Sequence, residues 1–193
     1  MKRLCVFCGS SKGNSATCTA AARSLGEALA ARNIELVFGG SHVGLMGVVA
    51  DAVLANGGKA TGVLPRFMDD KELAHPRLTK LHVVETMHER KQLMAELAEG
   101  FVALPGGFGT LEEIFEAITW QQLHLHARPC GLLNVDGYFD SLIEFLRGAV
   151  AGGFVRPAHF EKLIVAATPA ALLDRFAQFR PEQAEKWIPS KLI

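Results

Sequence analysis

Seven short apolar runs, separated by longer stretches of helical period, restrict the fold of this chain more than any other feature. They fall at residues 4–7, 36–38, 60–63, 81–84, 101–104, 131–135 and 163–166. Most are continuously apolar rather than alternating, the pattern of strands buried on both faces. Between them, residues 17–31, 45–55, 87–98, 111–123, 139–150 and 169–179 read as helices. Regular strand–helix alternation predicts an α/β fold, a Rossmann-like parallel sheet with helices on both faces. With 193 residues and no linker, repeat or low-complexity tract, one domain over residues 1–180 is expected. The remaining tail, 181–193, shows no clear period.

Composition narrows the function classes. Apolar residues make up 49% of the chain and charged residues 21%, which excludes a disordered chain. Twenty basic and twenty acidic residues cancel, so a protein built to grip a nucleic-acid backbone is disfavoured. No apolar run reaches the length of a membrane span. Met1-Lys2-Arg3 mimics the head of a signal peptide, but the apolar stretch behind it ends at Cys8 and runs into Gly9-Ser10-Ser11. Four cysteines (Cys5, Cys8, Cys18, Cys130) are too few for a disulfide scaffold, which points to reduced thiols and a cytoplasmic protein. Cys5 and Cys8 have the spacing of a metal pair, yet they fall on or beside a strand and no second pair answers them. His124 and His126, near a helix end, read as surface or interface residues.

In an open parallel sheet, ligands bind beyond the carboxyl ends of the strands. The turns there are Gly9-Ser10-Ser11, Gly39-Gly40-Ser41, Pro65-Arg66, Glu85-Thr86 and Pro105-Gly106-Gly107-Phe108-Gly109-Thr110. The last of these opens a helix, where backbone N–H groups can meet an anion. It is neither a P-loop nor the dinucleotide fingerprint, because the required Lys and third glycine are missing. A phosphate within a mononucleotide or sugar phosphate fits it. Thr110-x-x-Glu113 also has the form of a capping box, which by itself would explain Glu113. Thr86-x-x-Glu89 is a second such box, placing Arg90 and Lys91 near a helix start. Cations there oppose the helix dipole, a conflict that a bound phosphate would resolve and that a solvated surface would tolerate.

Taken together, these motifs resemble the Lonely Guy (LOG) family of cytokinin-activating enzymes. The residues that carry the resemblance are Pro105 to Glu113 (PGGFGTLEE), Met87-His88-x-Arg90-Lys91, Val6 to Ser11 and Gly44-Leu45-Met46-Gly47, continuing through Ile118-Thr119-Trp120 and Gly131 to Tyr138. The likeness covers nearly the whole chain in order. It implies hydrolysis of a nucleoside 5′-monophosphate at its N-glycosidic bond, giving a free base, N6-prenylated adenine above all, and ribose 5-phosphate. It further implies Arg90 and Glu113 as catalytic residues. Lys91, the Gly106, Gly107, Phe108, Gly109 and Thr110 loop, Glu72 and Thr119 are implied as substrate contacts. A homodimer with the site near the subunit interface is implied as well. Two departures stand out: Ser41-His42 replaces a third glycine after the second strand, and Phe108 stands where Tyr is frequent.

Cleaving a ribosyl–base bond builds positive charge on the sugar. Glu113 is the carboxylate expected to face that charge, and Arg90 to orient the nucleotide and assist departure of the base. Lys91 and the glycine loop would hold the phosphate. No metal or cofactor enters this scheme. Three alternatives stand beside it: a broader AMP or nucleotide nucleosidase, a non-catalytic carrier of a nucleotide-like cofactor, and the lysine decarboxylase that such sequences are often labelled. The last would need pyridoxal phosphate on a Schiff-base lysine, and no lysine here has a recognisable setting for it.

Overall fold

A computed structural model describes residues 1–69 and 73–180. Its frame is a seven-stranded sheet of β1 (Arg3–Phe7), β2 (Glu35–Phe38), β3 (Ala60–Pro65), β4 (Lys80–Val84), β5 (Phe101–Ala103), β6 (Cys130–Leu133) and β7 (Leu163–Ala166), in the order β4-β3-β2-β1-β5-β6-β7. Every neighbouring pair is parallel. The seven apolar runs therefore are the seven strands, shifted at their ends by a residue or two.

Strand residues alternate between two cores. Leu4, Val6, Leu36, Phe38, Val102 and Leu104 face a core shared with α1 (Ala16–Ala31), α2 (Gly44–Ala55) and, further along the sheet, α8 (Pro169–Gln178). Cys5, Phe7, Val37, Phe101 and Ala103 face the other, beneath α4 (Met87–Leu97), α5 (Phe108–Gln122) and α6 (Asp140–Ala151). Both faces are covered, as a parallel sheet requires. Phe7 and Phe101 stack across neighbouring strands with centroids 6.2 Å apart. The two edge strands depart from continuous burial: β4 exposes Lys80 and Val83, and β7 alternates buried with half-buried residues.

Two one-turn helices, α3 (Arg66–Asp69) and α7 (Pro157–Phe160), had no counterpart in the sequence reading. One correction bears on the site. α5 starts at Phe108, three residues before the expected start, with Gly107 at the cap and no side-chain hydrogen bond there. Thr110 thus lies inside the helix and is buried. The capping-box reading of Thr110 and Glu113 is overturned. The other box is real: Thr86 Oγ1 accepts from Glu89 N (3.1 Å), and the Glu89 carboxylate accepts from Glu85 N (2.9 Å), one residue earlier than the usual partner.

Strand order reverses at β1, flanked by β2 on one side and β5 on the other. The loops after β1 and β5 are stitched together there by Leu104 N to Phe7 O (2.9 Å) and Gly9 N to Pro105 O (3.0 Å). This is the position at which a doubly wound sheet opens a crevice for a ligand.

Candidate active site

A cleft of about 480 Å³ occupies that position, lined by Gly9, Ser10, Ser11 and Lys12 after β1, by Pro105, Gly106 and Gly107 after β5, and by Tyr138. Tyr138 donates its hydroxyl to Gly106 O (2.7 Å) and so steadies the glycine loop. Gly106 itself has no room for a side chain, since a Cβ there would lie 2.1 Å from Thr110 Oγ1. Around Gly107 and Gly109 the space is open. Because Gly107 supplies no capping side chain, the first-turn N–H groups of α5 carry no side-chain acceptor, the condition under which a helix start binds an anion. Phe108 projects into solvent, 93% exposed.

Glu113 sits on α5 about 9 Å beyond Gly107 by the helical rise. Its Oε1 lies 3.6 Å from Nη1 of Arg90, and both side chains are nearly buried, 13% and 9% exposed. The structure thus brings together the two residues that the resemblance implied as catalytic. Arg90 reaches this point from the start of α4 and lies across the carboxyl ends of β2 and β3, donating Nε to Val63 O (3.1 Å) and Nη2 to Gly39 O (3.3 Å). Gly39 makes that possible: a Cβ there would stand 1.9 Å from Nη2. Burial pushes the Glu113 carboxyl above its usual range. Arg90 pulls it back, while Glu112 raises it, Lys91 lowers it and Glu116 raises it. Behind the pair, burial raises the Cys5 and Cys8 thiols, and the Glu113 charge adds to both, so they pack as neutral groups.

Lys91 follows Arg90 but is held by two carboxylates of α5, Glu112 Oε1 at 2.5 Å and Glu116 Oε1 at 3.0 Å. Burial alone would lower its pKa; the hydrogen bonds to Glu112 and Glu116 outweigh that and raise it. Each cation at the start of α4 therefore has protein partners that offset its conflict with the dipole. Thr119 lies on a later turn of α5, exposed, its hydroxyl bonded to Phe115 O (2.7 Å). It stands about 120° around the helix from Glu113, so one protomer does not bring the two together. Glu72 lies outside the described residues.

The turn that carries Ser41-His42 is bonded through its backbone to residues 73–75. Ser41 is fully buried and pairs with Ala74 in an isolated antiparallel bridge, while His42 N donates to Leu73 O (3.1 Å) and His75 N to Gly40 O (2.9 Å). The turn after β2 thereby anchors residues 73–75. His126, read as a surface or interface residue, is half-buried. Its ring packs on Phe101 with centroids 5.1 Å apart, and burial followed by the Arg128 charge lowers its pKa to about 4. Lys12 was not named from the sequence, and Gly39 and Tyr138 were named only within a glycine turn and a resembling stretch, with no role of their own. Gly39 carried one local signal, its place directly after β2.

A family model described as "Possible lysine decarboxylase" matches residues 46–176. The chain is 44% identical over 180 residues to the cytokinin riboside 5′-monophosphate phosphoribohydrolase LOG3 of Arabidopsis thaliana, covering 93% of this chain and 84% of that one. It is 45% identical over 192 residues to LOG7 of the same plant, covering 100% of this chain and 88% of that one. The chain belongs to the LOG family. Its fold is shared with the molybdenum cofactor binding protein of Rippkaea orientalis, at a TM-score of 0.70 and 20% identity over 92% of this chain and 97% of that one. The Moco carrier protein of Chlamydomonas reinhardtii matches at a TM-score of 0.70 and 21% identity, over 92% and 96% of the two chains. At such identity the likeness is one of fold alone. In this LOG chain the lysine beside Glu113 is an ammonium between two carboxylates, the opposite of the neutral amine a Schiff base requires. Among the described residues no helix is long and apolar enough to cross a membrane.

Proposed function

We propose that this chain hydrolyses the N-glycosidic bond of adenosine 5′-monophosphates, N6-prenylated ones above all, releasing the free base and ribose 5-phosphate. Its LOG relatives are named for that reaction on cytokinin nucleotides. The observation that carries the reading is the nearly buried Arg90–Glu113 pair, about two helical turns from an uncapped, glycine-lined helix start.

In this reading the 5′-phosphate sits on the Gly106–Thr110 loop, accepting hydrogen bonds from the first-turn N–H groups of α5. The ribose then spans toward Glu113. As the C1′–N bond breaks, the electron pair leaves with the base and C1′ becomes cationic. Ionised Glu113 faces that charge and orients the water whose oxygen bonds to C1′, the water proton passing to the departing base or to solvent. Arg90, fixed by Val63 O and Gly39 O, keeps Glu113 oriented and favours its ionised form. Phosphate binding positions the sugar, so remote binding energy lowers the barrier. No metal or cofactor takes part in these steps.

A homodimer belongs to the same proposal. Phe108 and Thr119 both face outward on α5, and a second protomer laid there would bring Thr119 to a nucleotide and cover the Phe108 ring. Light scattering that gave 20.8 kDa across micromolar concentrations would refute the dimer. The cytoplasm is the proposed compartment, with neither nucleic acid nor membrane as partner. Incubation with nucleoside monophosphates, with and without N6-prenyl groups, followed by chromatography, tests the function. Free base from the monophosphates but not from the nucleosides is expected; no base from any monophosphate would refute it.

A further inference from the structure

Lys91 is the residue whose placement departs furthest from a phosphate ligand. It is nearly buried, 13% exposed, and spends two of its three donors on Glu112 and Glu116. Those carboxylates are one turn apart on α5, where like charges repel unless a cation bridges them. The trio sums to one negative charge, which repels a phosphate rather than attracting it. Its contacts cross from α4 to α5 on either side of Glu113 in the sequence. Lys12, meanwhile, lines the cleft beside the glycine loop.

We propose that Lys91 is a positioning residue: by bridging Glu112 and Glu116 it clamps α4 to α5 and sets the 3.6 Å approach of Arg90 to Glu113. The proposal rests on Glu113 being the catalytic carboxylate. The charged and titratable groups facing Glu113 are Arg90 and Lys91 from α4, Glu112 and Glu116 on its own helix, and the Cys5 and Cys8 thiols of β1. Without Lys91, three carboxylates of α5 face Arg90 alone. Glu113 then binds its proton more tightly, and its active carboxylate form is reached only at higher pH.

The test measures Lys91→Met and Lys91→Arg on a nucleoside monophosphate and on its nucleoside across pH. For Lys91→Met the expected result is a KM within about threefold of wild type and a kcat lower by about tenfold or more. The acid limb of kcat should move up by about half a pH unit or more, with the preference for the monophosphate kept. Lys91→Arg should restore most of kcat. A KM raised by about tenfold at unchanged kcat, or a lost preference for the monophosphate, would make Lys91 a phosphate ligand and overturn the proposal. Should Lys91→Met not fold, the double variant Glu112→Ala/Glu116→Ala removes both acceptors, and so the clamp, and keeps the lysine. A wild-type kcat and pH profile in that protein would equally overturn it. Carbon-13 titration of the Glu113 carboxyl reads the shift without turnover. A chain inactive on every nucleotide therefore refutes the function, and the titration still decides the clamp.

Discussion

Gly39→Ala is a one-carbon change that should disable the site from beneath. The new Cβ would lie 1.9 Å from Arg90 Nη2, 3.1 Å from its Cζ and 3.2 Å from Met46 Sδ. Ordinary contact begins near 3.5 Å, so the guanidinium must withdraw by about 1.5 Å. That displacement breaks the bond to Gly39 O and moves Nη1 relative to Glu113, now 3.6 Å away. Misplacing a catalytic group by an ångström costs on the order of a hundredfold in rate. Overpacking a buried position costs about 1–3 kcal/mol, which for a chain of this length lowers Tm by roughly 2–12 °C. Melting temperature, nucleotide affinity and kcat on one preparation separate the effects. The expected variant is folded, binds nucleotide and turns over about a hundredfold more slowly. A wild-type kcat would refute the argument that Gly39 holds Arg90 in place.

Gly148→Ala, in open space within α6, should leave kcat unchanged and raise stability by about 0.5–1 kcal/mol in a thermal melt. Tyr138→Phe removes the bond to Gly106 O and should raise KM for the monophosphate a few-fold, with kcat nearly kept, as read by steady-state kinetics. His126 takes up protons in the unfolded chain near pH 6.5 but in the folded protein only near pH 4. Its contribution to stability is therefore present above pH 6.5 and lost as pH falls toward 4, and Tm against pH should be flatter over that window in His126→Phe.

The strands were legible because burial on both faces writes a continuous apolar run, whereas their order in the sheet was visible only in the structure. The start of α5 was not, because Thr110-x-x-Glu113 has the letters of a capping box while the cap is a glycine without a side chain. One-turn helices such as α3 and α7 have no period to detect. In the site, Arg90 and Glu113 stood out through motif and position. The rest depends on partners distant in sequence. Gly39 makes sense only beneath Arg90, and Lys91 only against Glu112 and Glu116. Periodicity shows which face of a helix is buried, never what it is buried against. The contact of His126 with Phe101 was hidden for the same reason, since nothing near it in sequence announces that ring.

Glu113→Gln tests the central claim most directly. The side chain keeps its size and its contact with Arg90, and it caps nothing, so fold and nucleotide affinity should be kept. What disappears is the negative charge facing the developing cation, a loss worth on the order of a hundredfold or more in rate. Release of free base from a nucleoside 5′-monophosphate, followed by chromatography for variant and wild type at equal saturation, should fall by at least that factor. Near-normal release from a well-folded Glu113→Gln protein would contradict the account and leave the catalytic carboxylate elsewhere.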